Sequence, residues 1–237
     1  MVINIITLFP NMFRGVFEES IVYRATQKNL IEIRLIDLRT YGLGTHKVVD
    51  DTPYGGGGGM ILKPEPIANA LEDLCKPGFV ILTSPRGKSF TQDTALALSE
   101  KPEITIICGH YEGIDERVRT LFVDEELSIG DYVLTGGEIP SMVMIDTIVR
   151  LIPGVLGRDT IETGDSHYDG LLEHPQYTRP QEFKGLNVPE ILLSGNHLKI
   201  NRWRRKMALK KTKEQRPDLF KALNLSQEDI GLLEGED

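Results

Sequence analysis

Ser128-Ile129-Gly130-Asp131-Tyr132-Val133-Leu134-Thr135-Gly136-Gly137 is the stretch on which the reading of this chain turns. It is rich in glycine, yet Asp131 to Leu134 add bulk that favours burial, which a solvated linker would not carry. The three glycines let the backbone turn sharply or approach a ligand closely. A strand pattern over 126–129 leads in, and an apolar-faced helix pattern over 138–151 leads out. Two readings are open at this point. One is a structural turn between strand and helix. The other is a loop beside a strand end that holds a flat apolar group through main-chain N–H and C=O.

Working outward, the same alternation recurs. Val2 to Phe9 reads as a strand closed by Pro10, and Ile31 to Asp37 as a half-buried strand. Phe79 to Thr83 and Ile104 to Cys108 are short apolar runs of the kind found in buried parallel strands. Helices are expected over 11–17, 20–28, 63–75, 91–100 with Thr91 as its cap, and 114–122. Strands alternating with helices imply an α/β domain with a mostly parallel sheet. Ligands of such sheets sit outside the carboxyl ends of strands. Three of those ends carry unusual sequence: Thr83-Ser84-Pro85-Arg86-Gly87, Cys108-Gly109-His110-Tyr111-Glu112-Gly113 and the opening stretch. None matches a dinucleotide fingerprint or a Walker A loop, so a phosphate cradle is not indicated. Residues 153–180 change character, with glycine, proline and scattered acids, and read as a linker. Beyond it, Ser194 is expected to cap a helix running to about Thr212. Pro217 opens a short helix, and Ser226 with Asp229 forms a capping box for the last one.

The 237 residues suffice for one large domain or two small ones, and 40% hydrophobic with 26% charged residues is ordinary for a globular chain. No apolar run reaches 18 residues, so no membrane span is expected. The N-terminus reads as a first strand, not a signal peptide. Cys75 and Cys108, each in an apolar setting, argue against a disulfide framework and fit a reducing cytoplasm. Net charge is −8. Yet residues 199–216 hold nine cations, among them Arg202, Arg204, Arg205, Lys206, Lys210 and Lys211, against the one acid Glu214. With that segment at +8, the rest of the chain carries −16. Such asymmetry points to a polyanionic partner at one end, with RNA or DNA phosphates favoured over a merely solvated helix.

The remaining candidates are weaker. Gly55 to Gly59 reads equally as a flexible tether and as a close approach to a large ligand. The five histidines form no metal-ligand pattern, and no G-x-S-x-G elbow appears. Asp165 reads as a solvated loop acid, and Arg150 as a dipole partner at the end of its helix. Glu112 is able to accept a hydrogen bond from a ligand.

Taken together, six segments resemble one family. They are His46-x-x-x-Asp50-Asp51-x-Pro53-Tyr54-Gly55-Gly56-Gly57, Cys108 to Arg117, Ser128 to Leu134, Pro153-Gly154-Val155-Leu156-Gly157, Tyr177-Thr178-Arg179-Pro180 and Leu192 to His197. In order and spacing they are similar to the bacterial tRNA (guanine-N1)-methyltransferases, the SPOUT-class TrmD family. Gly58 and His110 depart from the family pattern, which has proline and arginine there.

The resemblance implies an α/β fold whose mostly parallel sheet is threaded into a trefoil knot. Residues 1–160 would bind S-adenosylmethionine, 161–174 would be a flexible linker, and 175–237 a helical tRNA-binding domain. It implies a homodimer with active sites between subunits. It implies a donor pocket of Leu82, Ser84, Pro85, Gly109, Tyr111, Glu112, Gly113, Ile129, Gly130, Asp131, Tyr132, Val133, Leu134, Gly136 and Gly137. Asp165 falls on the family's general base and Arg150 on its partner, for methylation of N1 of guanine 37, just 3′ of the anticodon. The family also implies Mg2+, although no carboxylate cluster in the sequence dictates a site. A SPOUT enzyme acting at another RNA position or on a ribose 2′-OH is the nearest alternative, and Asp165 separates them, since ribose methylation needs no base for a ring nitrogen. An RNA-binding protein without turnover is the non-enzyme alternative.

Overall fold

The computed structural model describes residues 1–156 and 165–235. The chain divides into two compact units, Met1–Ile161 and Glu162–Asp237.

In the first unit the elements run β1 (Val2–Thr7), α1 (Arg14–Phe17), α2 (Ser20–Gln27), β2 (Glu32–Asp37), β3 (Asp50–Asp51), β4 (Ile61–Leu62), α3 (Pro64–Asp73), β5 (Phe79–Ser89), α4 (Gln92–Ser99), β6 (Glu103–Cys108), α5 (Glu116–Phe122), β7 (Glu125–Ser128) and α6 (Glu138–Arg150). Five strands form one sheet in the order β2-β1-β6-β5-β7, and every pairing in it is parallel. β3 and β4 form a small antiparallel pair of their own.

The sheet is buried on both faces because its strands alternate between two apolar clusters, as a period of two requires. Ile3 and Ile5 of β1, Ile81 of β5, and Ile104 and Ile106 of β6 face one cluster. Val22 and Ala25 of α2, Ala95 and Leu98 of α4, and Met144, Ile145, Ile148 and Val149 of α6 cover it. Ile6, Val80, Leu82 and Ile107 face the other, covered by Ile67, Ala70 and Leu71 of α3 and Val118 of α5. Asn4, fully buried, donates from Nδ2 to Glu103 Oε1 at 2.9 Å and to Thr105 Oγ1 at 3.2 Å. Its amide nitrogen is thereby partnered inside the sheet, while Oδ1 is buried with no hydrogen-bond partner among the described residues. Thr91 caps α4 as expected, its hydroxyl accepting from Thr94 N at 3.3 Å.

β5 differs from the sequence reading. It does not stop at Thr83 but runs to Ser89, with Thr83 and Lys88 both paired to Leu127. Ser84, Pro85, Arg86 and Gly87 are looped out between them as a wide bulge. An apolar run of five residues ends at Thr83, so periodicity stops there. The ladder resumes because β7 offers a partner, which is a long-range fact.

The second unit contains β8 (Glu182–Phe183), β9 (Leu186–Asn187), α7 (Glu190–Leu193), α8 (His197–Gln215), α9 (Pro217–Ala222) and α10 (Gln227–Glu234). Leu171, Ala208 and Leu209 form its core, with Phe220, Leu223, Leu225 and Leu233 packed against them. Ser226 and Asp229 make the expected capping box. Ser194 does not cap α8: it closes α7, Gly195 turns the chain at φ +69, and Asn196 Oδ1 accepts from Lys199 N at 3.2 Å. The β8–β9 hairpin has no counterpart in the sequence reading. Its turn is Lys184-Gly185, with φ values of +53 and +81, the left-handed pair that a two-residue hairpin demands. Cys75 is exposed, contrary to the apolar setting expected for it, whereas Cys108 is buried.

Candidate active site

The carboxyl ends of three adjacent strands, β6, β5 and β7, meet at one place. The bulge of β5 presses on β7: a Cβ at Gly87 would stand 2.5 Å from Leu127 N. After β6, Tyr111 adopts φ +57 and Gly113 φ +124, a turn closed by Gly113 N donating to His110 O at 3.0 Å. Glu112 N donates to Met60 O, and Leu62 N to Gly113 O, each at 3.0 Å, so the polyglycine segment's far end is fastened to this loop. After β7, Ser128 Oγ accepts from Gly130 N at 3.2 Å and donates to Gly130 O at 3.0 Å.

The second and third loops are joined through their backbones. Gly137 N donates to Gly109 O at 2.7 Å, and His110 and Gly136 form an antiparallel bridge. The contact is too close for any side chain. A Cβ on Gly137 would lie 2.0 Å from Thr83 Oγ1 and 2.8 Å from both Cys108 Cα and Gly109 N. Here glycine supplies close approach rather than an unusual dihedral.

Between the loops lies a cavity of about 310 Å³. Of the residues named from sequence, Leu82, Ser84 and Pro85 line it from β5, and Gly109, Tyr111, Glu112 and Gly113 from the loop after β6. Ile129, Gly130, Tyr132, Val133, Leu134, Gly136 and Gly137 complete it. Asp131 does not line it and is exposed. Nor is the bulk of the opening stretch buried: Val133 is 83% exposed and Tyr132 55%. These side chains stand around an open pocket instead of entering the core. Thr83, Arg86, His110, Ser128 and Thr135 also line the cavity; they lie in the strand-end segments singled out from sequence but are not among the residues carried over by resemblance, while Ile114, Leu127 and Pro140 were not anticipated at all. Most lie within or beside the three strand-end segments, so position along the chain is a better guide here than residue type.

Beneath the pocket is a buried polar group. Glu138, at the start of α6, is 1% exposed and accepts a hydrogen bond from Thr7 Oγ1 at 2.8 Å. Cys108 Sγ lies 3.2 Å from Ser141 Oγ. Burial pushes the Cys108 thiol far above the ordinary range, so it is neutral and inert as a nucleophile.

Neither of the two residues assigned to chemistry by resemblance is among those lining the cavity. Arg150 is the exposed last residue of α6 and does not line the cavity. At 1.5 Å per residue it stands about 18 Å along the helix from Glu138. Asp165 belongs to the second unit and is partly buried, its carbonyl accepting from Tyr168 N at 3.2 Å.

All six named cations lie on α8. Arg202, Arg204 and Lys210 are exposed, while Lys206 and Lys211 are partly covered. Arg205 has a different task. Its Nε donates to Asp229 Oδ1 at 2.8 Å, its Nη2 to Asp229 Oδ2 at 3.1 Å, and its Nη1 to Asp169 Oδ2 at 2.8 Å. The guanidinium, with the capping bonds of Ser226, holds the Asp229 carboxyl down to about 2. Arg205 thus braces α8 against α10 and the 165–174 segment, and is a strut more than a contact for an outside anion. Trp203 packs between His174 and Tyr177, each ring centroid 6.3 Å away. Among the described residues, no three His, Cys, Asp or Glu side chains converge as a metal site.

An open parallel α/β sheet, a pocket at its strand ends built of glycine loops tied backbone to backbone, and a separate unit with a cationic helix define an α/β protein of the class whose ligands sit at the strand ends. Comparison with known proteins narrows the class. The family model for tRNA (Guanine-1)-methyltransferase TrmD matches residues 1–222. A tRNA (guanine-N(1)-)-methyltransferase of Dehalococcoides mccartyi (strain CBDB1) is 52% identical over 238 residues, covering 99% of this chain and 96% of that relative. One of Staphylococcus aureus (strain JH9) is 54% identical over 236 residues with the same coverage. The chain belongs to the TrmD family of tRNA (guanine-N1)-methyltransferases.

Proposed function

We propose that the chain methylates N1 of the guanine at tRNA position 37, taking the methyl group from S-adenosylmethionine bound in the three-loop pocket. The observation that carries the donor site is the Gly137–Gly109 joint, where main chain meets main chain beside the cavity. Such a wall suits adenine and a thioether arm, and the absence of a phosphate fingerprint suits a donor without phosphate. When bound, S-adenosylmethionine supplies an electrophilic methyl group on a sulfonium.

The protein's own part is positioning and proton transfer. Guanine N1 is protonated at neutral pH and is a poor nucleophile. Asp165 takes that proton, and Arg150 stabilises the negative charge that develops toward O6. We infer that Asp165 reaches the target base as part of the second unit, in which residues 165–174 are held through Leu171 and the bond from Leu172 N to Thr212 Oγ1; residues 161–164 of the expected linker lie outside the described part. The base itself leaves its stack to enter the site.

The 18 Å between Arg150 and the start of its own helix supports a site shared between two subunits. We read the enzyme as a homodimer in which one copy's pocket meets the other's catalytic groups. We read the crossing of the 109–113 and 129–137 loops as the trefoil knot typical of SPOUT folds, a rare topology. tRNA as substrate puts the work in the cytoplasm.

The reading is tested by transfer of a labelled methyl group from S-adenosylmethionine to unmodified tRNA. It is measured with the chain and with a variant carrying Arg202→Gln, Arg204→Gln and Lys210→Gln. The chain labels the tRNA. The variant's KM for tRNA rises on the order of 10-fold or more, and the salt dependence of binding flattens by about two to three units of slope. No labelling by the chain ends the reading, and an unchanged KM removes α8 from the RNA contact. Arg205 is left intact because its loss would strand Asp229 unpaired.

A further inference from the structure

One buried arrangement at the pocket is unsatisfied. Glu138 Oε1 accepts from Thr7 Oγ1, which in turn accepts from Phe9 N at 2.9 Å. Glu138 Oε2 stands 3.7 Å from His110 Nδ1, outside hydrogen-bond range. That nitrogen is itself buried without a hydrogen-bond partner among the described residues. A buried carboxylate served by one neutral hydroxyl is costly, and so is an orphaned imidazole nitrogen. One short movement satisfies both. Position 136 keeps the way open: a Cβ there would lie 2.4 Å from His110 Nδ1 and 2.5 Å from Glu138 Oε2. The imidazole is steadied by Phe9, at 4.9 Å between centroids, and by Tyr111 edge-on at 4.8 Å.

We propose that His110 is a positioning residue of the donor pocket: its Nδ1–H closes on Glu138 Oε2 as the 109–113 and 129–137 loops seat around the donor. The inference rests on the pocket being the S-adenosylmethionine site. It gives Gly136 a reason to be glycine, since a side chain there would wedge the two partners apart. It also ties both loops to α6 and, through Thr7, to the end of β1. The ionisable groups around the ring are Glu138 from α6, Tyr111 and Glu112 from its own loop, and Cys108 at the end of β6, whose thiol stays neutral. Thr7 and Phe9, from the β1 side, do not ionise. The pair acts as a unit, so removing either partner costs the donor the same closure.

The test is calorimetric titration of the full-length protein with S-adenosylmethionine at one fixed pH. Wild type is compared with His110→Ala, Glu138→Gln and the double variant, each checked for native circular dichroism. Each single variant binds the donor on the order of 5- to 10-fold more weakly, and the double variant binds no worse than the weaker single one. Wild-type affinity in either single variant overturns the proposal, as do single losses that simply multiply in the double variant. If the wild-type protein binds no donor, the donor pocket falls and this proposal falls with it.

Discussion

Asp165→Ala lowers methyl transfer by about 10²- to 10⁴-fold, the range typical of a positioned general base, while affinity for tRNA stays within about 3-fold. The two readouts are expected to separate because the residue's backbone bond does not depend on its side chain. The Asp165 carbonyl accepts from Tyr168 N, and an alanine keeps that bond. Its neighbours in the second unit are held independently: Leu171 is 3% exposed in the core, and Leu172 N donates to Thr212 Oγ1 at 2.8 Å. The variant is therefore expected to fold and to present α8 unchanged. Asp165→Asn is the sharper companion, since it keeps the shape of the side chain and removes its basicity. Near-normal turnover in either variant would mean that the N1 proton leaves by another route.

Gly137→Ala is expected to weaken S-adenosylmethionine binding by about 10- to 100-fold, corresponding to the roughly 1–3 kcal/mol that overpacking a tight site costs. The added methyl meets Thr83 Oγ1, itself fixed by donation to Ile107 O at 3.2 Å, and two backbone atoms that cannot swing aside. The loop after β6 must retreat, and the bond from Gly137 N to Gly109 O stretches with it. Gly58→Ala is the control, because a Cβ there meets nothing within 4 Å and its φ is not left-handed. Titration of both variants with the donor checks the pair. Equal, wild-type binding by the two would show that close approach at position 137 does not shape the pocket.

What was legible in the sequence follows from the range of the forces involved. Apolar runs marked the central strands β1, β5 and β6, because burial against two faces is written in the residues themselves, and alternation marked the more exposed edge strand β2. Local hydrogen bonds were readable too, as Thr91 and the Ser226–Asp229 capping box illustrate. Features that depend on a distant partner were not. The bulge of β5 exists because Thr83 and Lys88 share Leu127. Arg205 looked like one more cation on a basic helix until Asp169 and Asp229 proved to surround it. Tyr132 and Val133 looked like core residues by type, yet they stand in the open around the cavity. Ser194 carried a capping side chain, but Gly195 turned the chain before α8 could begin. The opening stretch was legible as a loop with a purpose. That its last glycine touches the backbone of Gly109, 28 positions earlier, was not, since no local pattern encodes a contact across the sheet's end.

The measurement that tests the account most directly is to incubate the protein with isotopically labelled S-adenosylmethionine and unmodified tRNA, digest the product, and locate the label by mass spectrometry. One labelled methyl group is expected on N1 of guanine 37, absent from a transcript with adenine at that position. A label on a ribose 2′-oxygen, on another base, or on no nucleotide at all would contradict it.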